Sequence, residues 1–403
     1  MMTAIAALPL PDAQAVLIGT AQSVGIETIA TADALGRVLA EDIVAPHAFP
    51  DTRRSAVDGF ALNQPGLQEY QIVETLGAGE LPKHHLKDGQ AAAVMTGATV
   101  PEGSVAVIRV EDTTVVDGIL VLKAEASVGE NINRIGEELS SGEPVLNSGD
   151  RLTPVNHSVL CCTGIAQVKV RRLPTIGILI TGDEVLQLGQ EHRPGSVYDS
   201  NRHFLVGCLA QLGIKCKVLG PVNDDETTIS SSIDQLAQEC DLVISSGGVS
   251  MGKYDFIRPL LHSSGFEVLV NRTGIKPGRP LIVARRGETL FFGMPGYPAA
   301  CLVNFFYYLL PTVKKLMGIN AVLPHVRSVQ LATDLKGRKG RWDVIRMKLV
   351  TEAGEERAHK LSSQLTSHFL NFGICDGLAL LGGDVDQISA GEQVEILEFI
   401  AQF

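Results

Sequence analysis

The sequence predicts an α/β domain with a mainly parallel sheet, set between β-rich parts. Three observations carry that reading. From Pro174 onward, apolar runs of strand length alternate with helix-like segments of 10–15 residues, the texture of βαβ units. Residues from about 9 to 172 form a mosaic, with short strand-like runs broken by Gly and Pro. From about residue 321 the chain returns to strand texture.

The elements follow in order. Leu10–Ala21 reads as an opening helix, and Val94–Met95, Val105–Val110, Ile119–Leu122 and Ala166–Val170 read as strands. No helix-period stretch dominates between about residue 40 and the end of that mosaic. The run from Thr175 to Ile180 is continuously apolar, as a strand buried on both faces would be. A helix at Asn201–Leu212, a strand at Lys215–Leu219, a helix at Glu226–Gln238 and a strand at Asp241–Ser246 come next. Strands at Phe266–Val270, Leu281–Ala284 and Leu290–Gly293 precede a long apolar helix, Ala299–Leu316. The C-terminal strands are Val326–Leu331, Val344–Val350, Leu378–Leu381 and Val394–Phe399.

Composition narrows the function classes. A chain of 403 residues suggests about two to four domains. Its net charge is −11, with a pI near 5.4, which argues against a dedicated nucleic-acid binder. At 45% hydrophobic and 20% charged it can bury large cores. The longest apolar stretch, Leu302–Leu310 with Asn304 inside it, falls short of the ~18–20 residues that span a membrane. No basic residue precedes Arg37, so the start lacks the positive region of a signal peptide. Seven cysteines without C-x-x-C spacing fit reduced thiols in a cytoplasmic protein and argue against a zinc or iron–sulfur site.

Ligands of open α/β sheets sit beyond the carboxyl ends of the strands, so the loops there come first. Thr181-Gly-Asp-Glu184 is either a solvated turn or a holder of a hard cation, and Tyr198-Asp199-Ser200-Asn201 reads as a helix N-cap. In Ser245-Ser-Gly-Gly-Val-Ser250 two glycines let backbone N–H groups approach an anion. Gly247 to Lys253 fits G-x-x-x-x-G-K, but Tyr254 stands where a P-loop needs Ser or Thr. Lys253-Tyr-Asp255 adds a carboxylate. Ile275-Lys-Pro-Gly-Arg279 aims two cations from a tight turn, and Gly293-Met-Pro-Gly-Tyr-Pro298 is a stiff turn feeding a helix. Acids and anion binders on one sheet edge point to a phosphorylated ligand with Mg²⁺.

These motifs, in this order, resemble the molybdopterin molybdenumtransferase family. The mosaic half matches too, through Ser55-Ala-Val-Asp-Gly-Phe-Ala61, Met95-Thr-Gly-Ala98 with Pro101-Glu-Gly103, and Arg134-Ile-Gly-Glu-Glu138. The resemblance covers roughly residues 9 to 400. It implies a three-layer α/β molybdopterin-binding domain from 9–23 and 173–320, with a small C-terminal β-barrel-like domain at 321–403. It also implies a linker and dimerisation domain from 24–45 and 144–172, and an inserted β-rich domain at 46–143.

By the same resemblance the activity is insertion of molybdenum from molybdate into adenylylated molybdopterin, with Mg²⁺ and release of AMP. Asp58, Thr96 and Glu184 are its implied catalytic residues. Ser246, Gly247, Gly248, Ser250, Asp224, Asp255, Lys276, Arg279, Pro295, Pro298, Arg341 and Ser363 are implied to bind substrate, and Arg346 lies near such a position. Glu184, Asp224 and Asp255 are the implied Mg²⁺ ligands. The implied assembly is a homodimer, its cleft lying between the α/β domain of one chain and the N-terminal domains of the other. A molybdopterin adenylyltransferase and cofactor-delivery proteins are the implied partners. Five positions depart from the family pattern: Glu138 for Asp, Arg279 for a frequent Lys, Tyr297 for Asn, Ala300 for Ser, and Ser362 for Gly. Adenylyl transfer itself, or non-catalytic pterin binding as a scaffold, are the alternative readings.

Overall fold

The computed structural model describes residues 7–249 and 256–403. The chain forms two compact units, one of residues 1–40, 149–154 and 167–403, the other of residues 41–148 and 155–166.

The larger unit is built on a six-stranded sheet. Its spatial order is Cys216–Val222, Ile176–Thr181, Leu242–Ser246, Thr289–Met294, Ile282–Arg286 and Glu267–Asn271. The first four strands are mutually parallel; the last two add antiparallel. The apolar run expected at 175–180 is the strand Ile176–Thr181, buried at every residue. Side chains alternate between its faces. Ile176, Ile178 and Ile180 join one core with Leu205 and Leu209 of the helix Ser200–Gln211 and with Leu10 and Leu17 of the helix Leu10–Thr20. Leu179 joins a second core on the opposite face, with Ile229 and Ile233 of the helix Glu226–Glu239. These are the three layers of the predicted α/β domain.

A buried helical rod, Pro298–Leu316, completes the first face. Its middle, Phe305–Leu309, is a wide π-helical turn. Pro311, just beyond, has no N–H to donate, so the regular ladder cannot run through it.

The C-terminal strands close on themselves. Trp342–Glu352 pairs with Glu355–Lys360, which pairs with Arg327–Leu331, then Gln393–Glu398, then Gly377–Leu381, which returns to Trp342–Glu352. The β-barrel-like domain expected from the sequence is therefore a closed five-stranded barrel. A two-residue strand from the α/β domain, Ile275–Lys276, adds in parallel to its rim at Trp342–Asp343.

The smaller unit holds another six-stranded sheet, in the order Ala106–Arg109, Gly59–Leu62, Gln90–Val94, Glu69–Leu76, Ile119–Leu122 and Thr113–Val116. Gly59 is required there, because a Cβ would collide with the carbonyl oxygen of Ile108 on the adjoining strand. A helix at Pro154–Cys162, absent from the sequence reading, also forms.

Candidate active site

In the large sheet the chain leaves Ile176–Thr181 for the strand on one side and later returns to the strand on the other. The loops after Thr181 and Ser246 therefore diverge, and a crevice opens at their carboxyl ends. A cleft of about 630 Å³ lies there, lined by Glu184, Asp224, Ser246, Gly247 and Gly248, with Pro295 and Pro298.

Local chemistry shapes this cleft. Gly247 and Gly248 have φ of 101° and 69°, conformations that L side chains avoid. A Cβ on Gly247 would lie 2.8 Å from Thr181 Oγ1, so the strand ends can meet only at glycine. Asp199 caps the helix Ser200–Gln211 by accepting from Arg202 N at 3.0 Å; its Oδ2 is buried with no hydrogen-bond partner among the described residues, and the residue lines the cleft. Asn201 donates to Ser246 Oγ at 2.7 Å and to Gly296 O at 2.9 Å. In the sequence Asp199 shows only the cap, and nothing there marks Phe369, which lines the same cleft from the C-terminal segment. Ser250 and Asp255 lie outside the described residues.

A second cleft of about 580 Å³ adjoins the first and shares Pro280, Pro295 and Tyr297 with it. It gathers Lys276, Arg279 and Arg341 from the predicted set and adds Arg338 and Lys339 from the barrel rim. Arg341 pairs with Asp343 at 2.7 Å and Lys339 with Asp386 at 3.0 Å. Among the described residues, Lys276, Arg279 and Arg338 have no ion-pair partner, so this end of the crevice is strongly positive.

Ser363 lines neither cleft. Its hydroxyl lies 2.7 Å from His368 Nδ1, and its neighbours Thr366 and Ser367 supply the lining. Arg346 also stays out of both clefts. Its buried guanidinium donates to His368 O, Asn371 Oδ1 and Leu365 O, holding the loop that carries those linings. Burial draws its pKa below the usual arginine value.

Asp58 and Thr96 belong to the smaller unit and face each other. Asp58 Oδ1 accepts from Thr96 N at 2.6 Å and from Thr96 Oγ1 at 2.9 Å. Those bonds, the backbone one foremost, hold the Asp58 carboxyl below its ordinary pKa. Both residues are exposed.

Among the described residues no group of three or more His, Cys, Asp or Glu side chains converges as a metal cage. Glu184 and Asp224 do share the first cleft, and hard oxygen donors of this kind suit Mg²⁺ completed by water and phosphate oxygens. No helix among the described residues is long and apolar enough to cross a membrane.

Comparison with known proteins agrees along the chain. Residues 8–164 match the MoeA N-terminal region (domain I and II), residues 177–315 a probable molybdopterin binding domain, and residues 328–399 the MoeA C-terminal region (domain IV). The molybdopterin molybdenumtransferase of Haemophilus influenzae is 33% identical over 374 residues, covering 91% of this chain and 92% of that protein. That of Bacillus subtilis is 33% identical over 300 residues, covering 72% and 70%. The crystal structure of the molybdopterin biosynthesis moeA protein from Pyrococcus horikoshii superposes with a TM-score of 0.83 at 26% identity, covering 98% of this chain and all of that one. With matching sequence, matching fold and the crevice at the expected sheet edge, the chain belongs to the molybdopterin molybdenumtransferase family of molybdenum cofactor biosynthesis.

Proposed function

We propose that the two clefts are the two ends of one substrate site. The glycine- and carboxylate-lined cleft takes the phosphates and nucleotide of adenylylated molybdopterin. The cationic cleft takes molybdate. The observation that carries this reading is their adjacency, an acid-and-glycine cleft and a five-cation cleft meeting at Pro280, Pro295 and Tyr297. A dianion held by Lys276 and Arg279 is thereby placed near a dithiolene carried on a bound nucleotide, which supplies the proximity the transfer needs.

The exchange balances without an oxidant. The two dithiolene thiols replace one oxo group of molybdate, which leaves as one water carrying both thiol protons, and molybdenum keeps its oxidation state. Water cleaves the pyrophosphate, giving AMP and the pterin phosphate. Glu184 and Asp224 would hold Mg²⁺, with Asp255 a further carboxylate outside the described residues. When bound, the ion neutralises phosphate charge. Asp58 and Thr96 are assigned to turnover, and the working form to a cytoplasmic homodimer that receives its pterin from an adenylyltransferase.

The test uses purified protein with adenylylated molybdopterin, Mg²⁺ and micromolar molybdate, following AMP. Molybdate-dependent AMP release is expected. Release indifferent to molybdate, or none, would overturn the reading, and ATP consumption with unmodified molybdopterin would favour adenylyl transfer instead.

A further inference from the structure

We propose that Asn304 is a positioning residue for the cation-bearing turn: its amide seats Gly278, and so fixes the spacing of Lys276 and Arg279. The inference rests on the oxyanion reading of the second cleft.

Asn304 is completely buried, and among the described residues neither its Nδ2 nor its Oδ1 finds a hydrogen-bond partner. An amide in that state destabilises the fold relative to an apolar side chain of the same branched outline, such as leucine. What asparagine adds at this place is a polar group, and the surroundings show where it is aimed. Gly278 has φ of 117°, and a Cβ built on it would lie 2.5 Å from Asn304 Oδ1 and 3.1 Å from Cγ. The turn therefore rests its α-carbon directly on the amide. Gly278 is buried, whereas Lys276 and Arg279 on either side are exposed into the cleft.

The rest of the turn is held from other directions. Thr273 N donates to Arg279 O at 3.2 Å, and Ile275–Lys276 is tied to Trp342–Asp343 of the barrel. Asn304 supplies the floor between those two anchors. It also ends the helical stretch that begins at Pro298 on the first cleft, and the wide turn Phe305–Leu309 starts at the next residue. Widened helical turns of this kind gather at functional sites. An amide that costs stability and lies directly under a buried glycine between two cleft cations is accounted for by the turn it supports.

Asn304→Leu and Asn304→Ser in the full chain test this. The readings are the KM for molybdate, the KM for adenylylated molybdopterin, and the thermal midpoint. In both variants the molybdate KM is expected to rise about tenfold while the pterin KM stays within about twofold. The leucine variant is expected to melt no lower than the wild type. An unchanged molybdate KM in a folded variant, or an equal rise in both KM values, overturns the inference; should the leucine variant fail to fold, the serine variant decides by the same readings. Lys276→Ala is the control. If it too leaves the molybdate KM unchanged, the oxyanion reading of the turn falls and this inference with it. If it raises that KM while the Asn304 variants do not, the inference alone falls.

Discussion

The side-chain amide of Asn201 donates to Ser246 Oγ at 2.7 Å, and the same nitrogen reaches Gly296 O at 2.9 Å. One residue in the first turn of a helix thus ties the end of a central strand to the stiff turn that leads into Pro298. Asn201→Ala leaves both acceptors without their donor inside a largely buried junction, a loss of about 1–3 kcal/mol. Urea unfolding should show it, and AMP titrated calorimetrically should bind about tenfold more weakly as the strand end loosens. Wild-type affinity for AMP would remove Asn201 from the binding machinery.

Asp58 is a charge test. An amide at this position can still accept from Thr96 N through its oxygen, so Asp58→Asn keeps the local turn and deletes only the carboxylate charge. Turnover should fall by at least about tenfold, the scale of a positioned acid–base or electrostatic group, with an unchanged circular dichroism spectrum. Because the folded carboxyl is held below its ordinary value, its ionisation adds no acid limb to the rate profile at neutral pH; the limb belongs below pH 3.8. Undiminished turnover in Asp58→Asn would remove the residue from the reaction.

Away from the crevice, Asp241 fastens the neighbouring strands Ile176–Thr181 and Leu242–Ser246 at their N-terminal ends. It accepts from Arg172 at 2.7 and 2.6 Å, and from Thr175 N and Thr175 Oγ1 at 2.7 Å each. Burial pushes its pKa up, but the hydrogen bonds from Arg172 and Thr175 outweigh it and leave the carboxyl below the ordinary value. The stabilisation is therefore full above pH 3.8 and disappears as the pH falls through the lower folded value. Asp241→Asn should cost about 2 kcal/mol at pH 7, less than a fully buried pair because the Arg172 side chain is still reached by water. Urea midpoints of the two proteins should converge on acidification; a constant difference down to pH 2.5 would mean the carboxylate is not the source.

The Arg346 guanidinium holds three groups of the 365–371 loop at 2.5 to 2.8 Å. Lysine keeps the charge but cannot present the fork. Arg346→Lys should lower stability by about 2 kcal/mol and expose that loop to limited proteolysis, raising KM through the linings at Thr366 and Ser367. An uncut loop with raised KM would instead place Arg346 on the substrate.

How much of this was legible depended on whether a residue's role was local. The strands Ile176–Thr181 and Leu242–Ser246 are apolar on both faces, and the sequence located them to within a residue. Glu355–Lys360 is invisible by that signal, since only Ala358 is buried; it is a strand because the barrel needs a piece between Trp342–Glu352 and Arg327–Leu331. In the site, Gly247 and Gly248 could be read because the backbone itself demands glycine. Lys276 and Arg279 could be read because one short turn carries both. Phe369, Thr366 and the barrel cations Arg338 and Lys339 could not, because their place depends on how distant segments close. The same holds for Ser363, whose side chain turns to His368 rather than toward a cleft.

The closed barrel has a consequence for how such a site can diversify. Its strands carry a core of their own, with Val329, Ile345 and Ile396 among the packed residues, and the rim segment that carries Arg338, Lys339 and Arg341 lies outside that core. Rim and first cleft are thus separately editable. Exchange of residues 338–341 alone would alter the charge of the second cleft and leave the lining of the first unchanged.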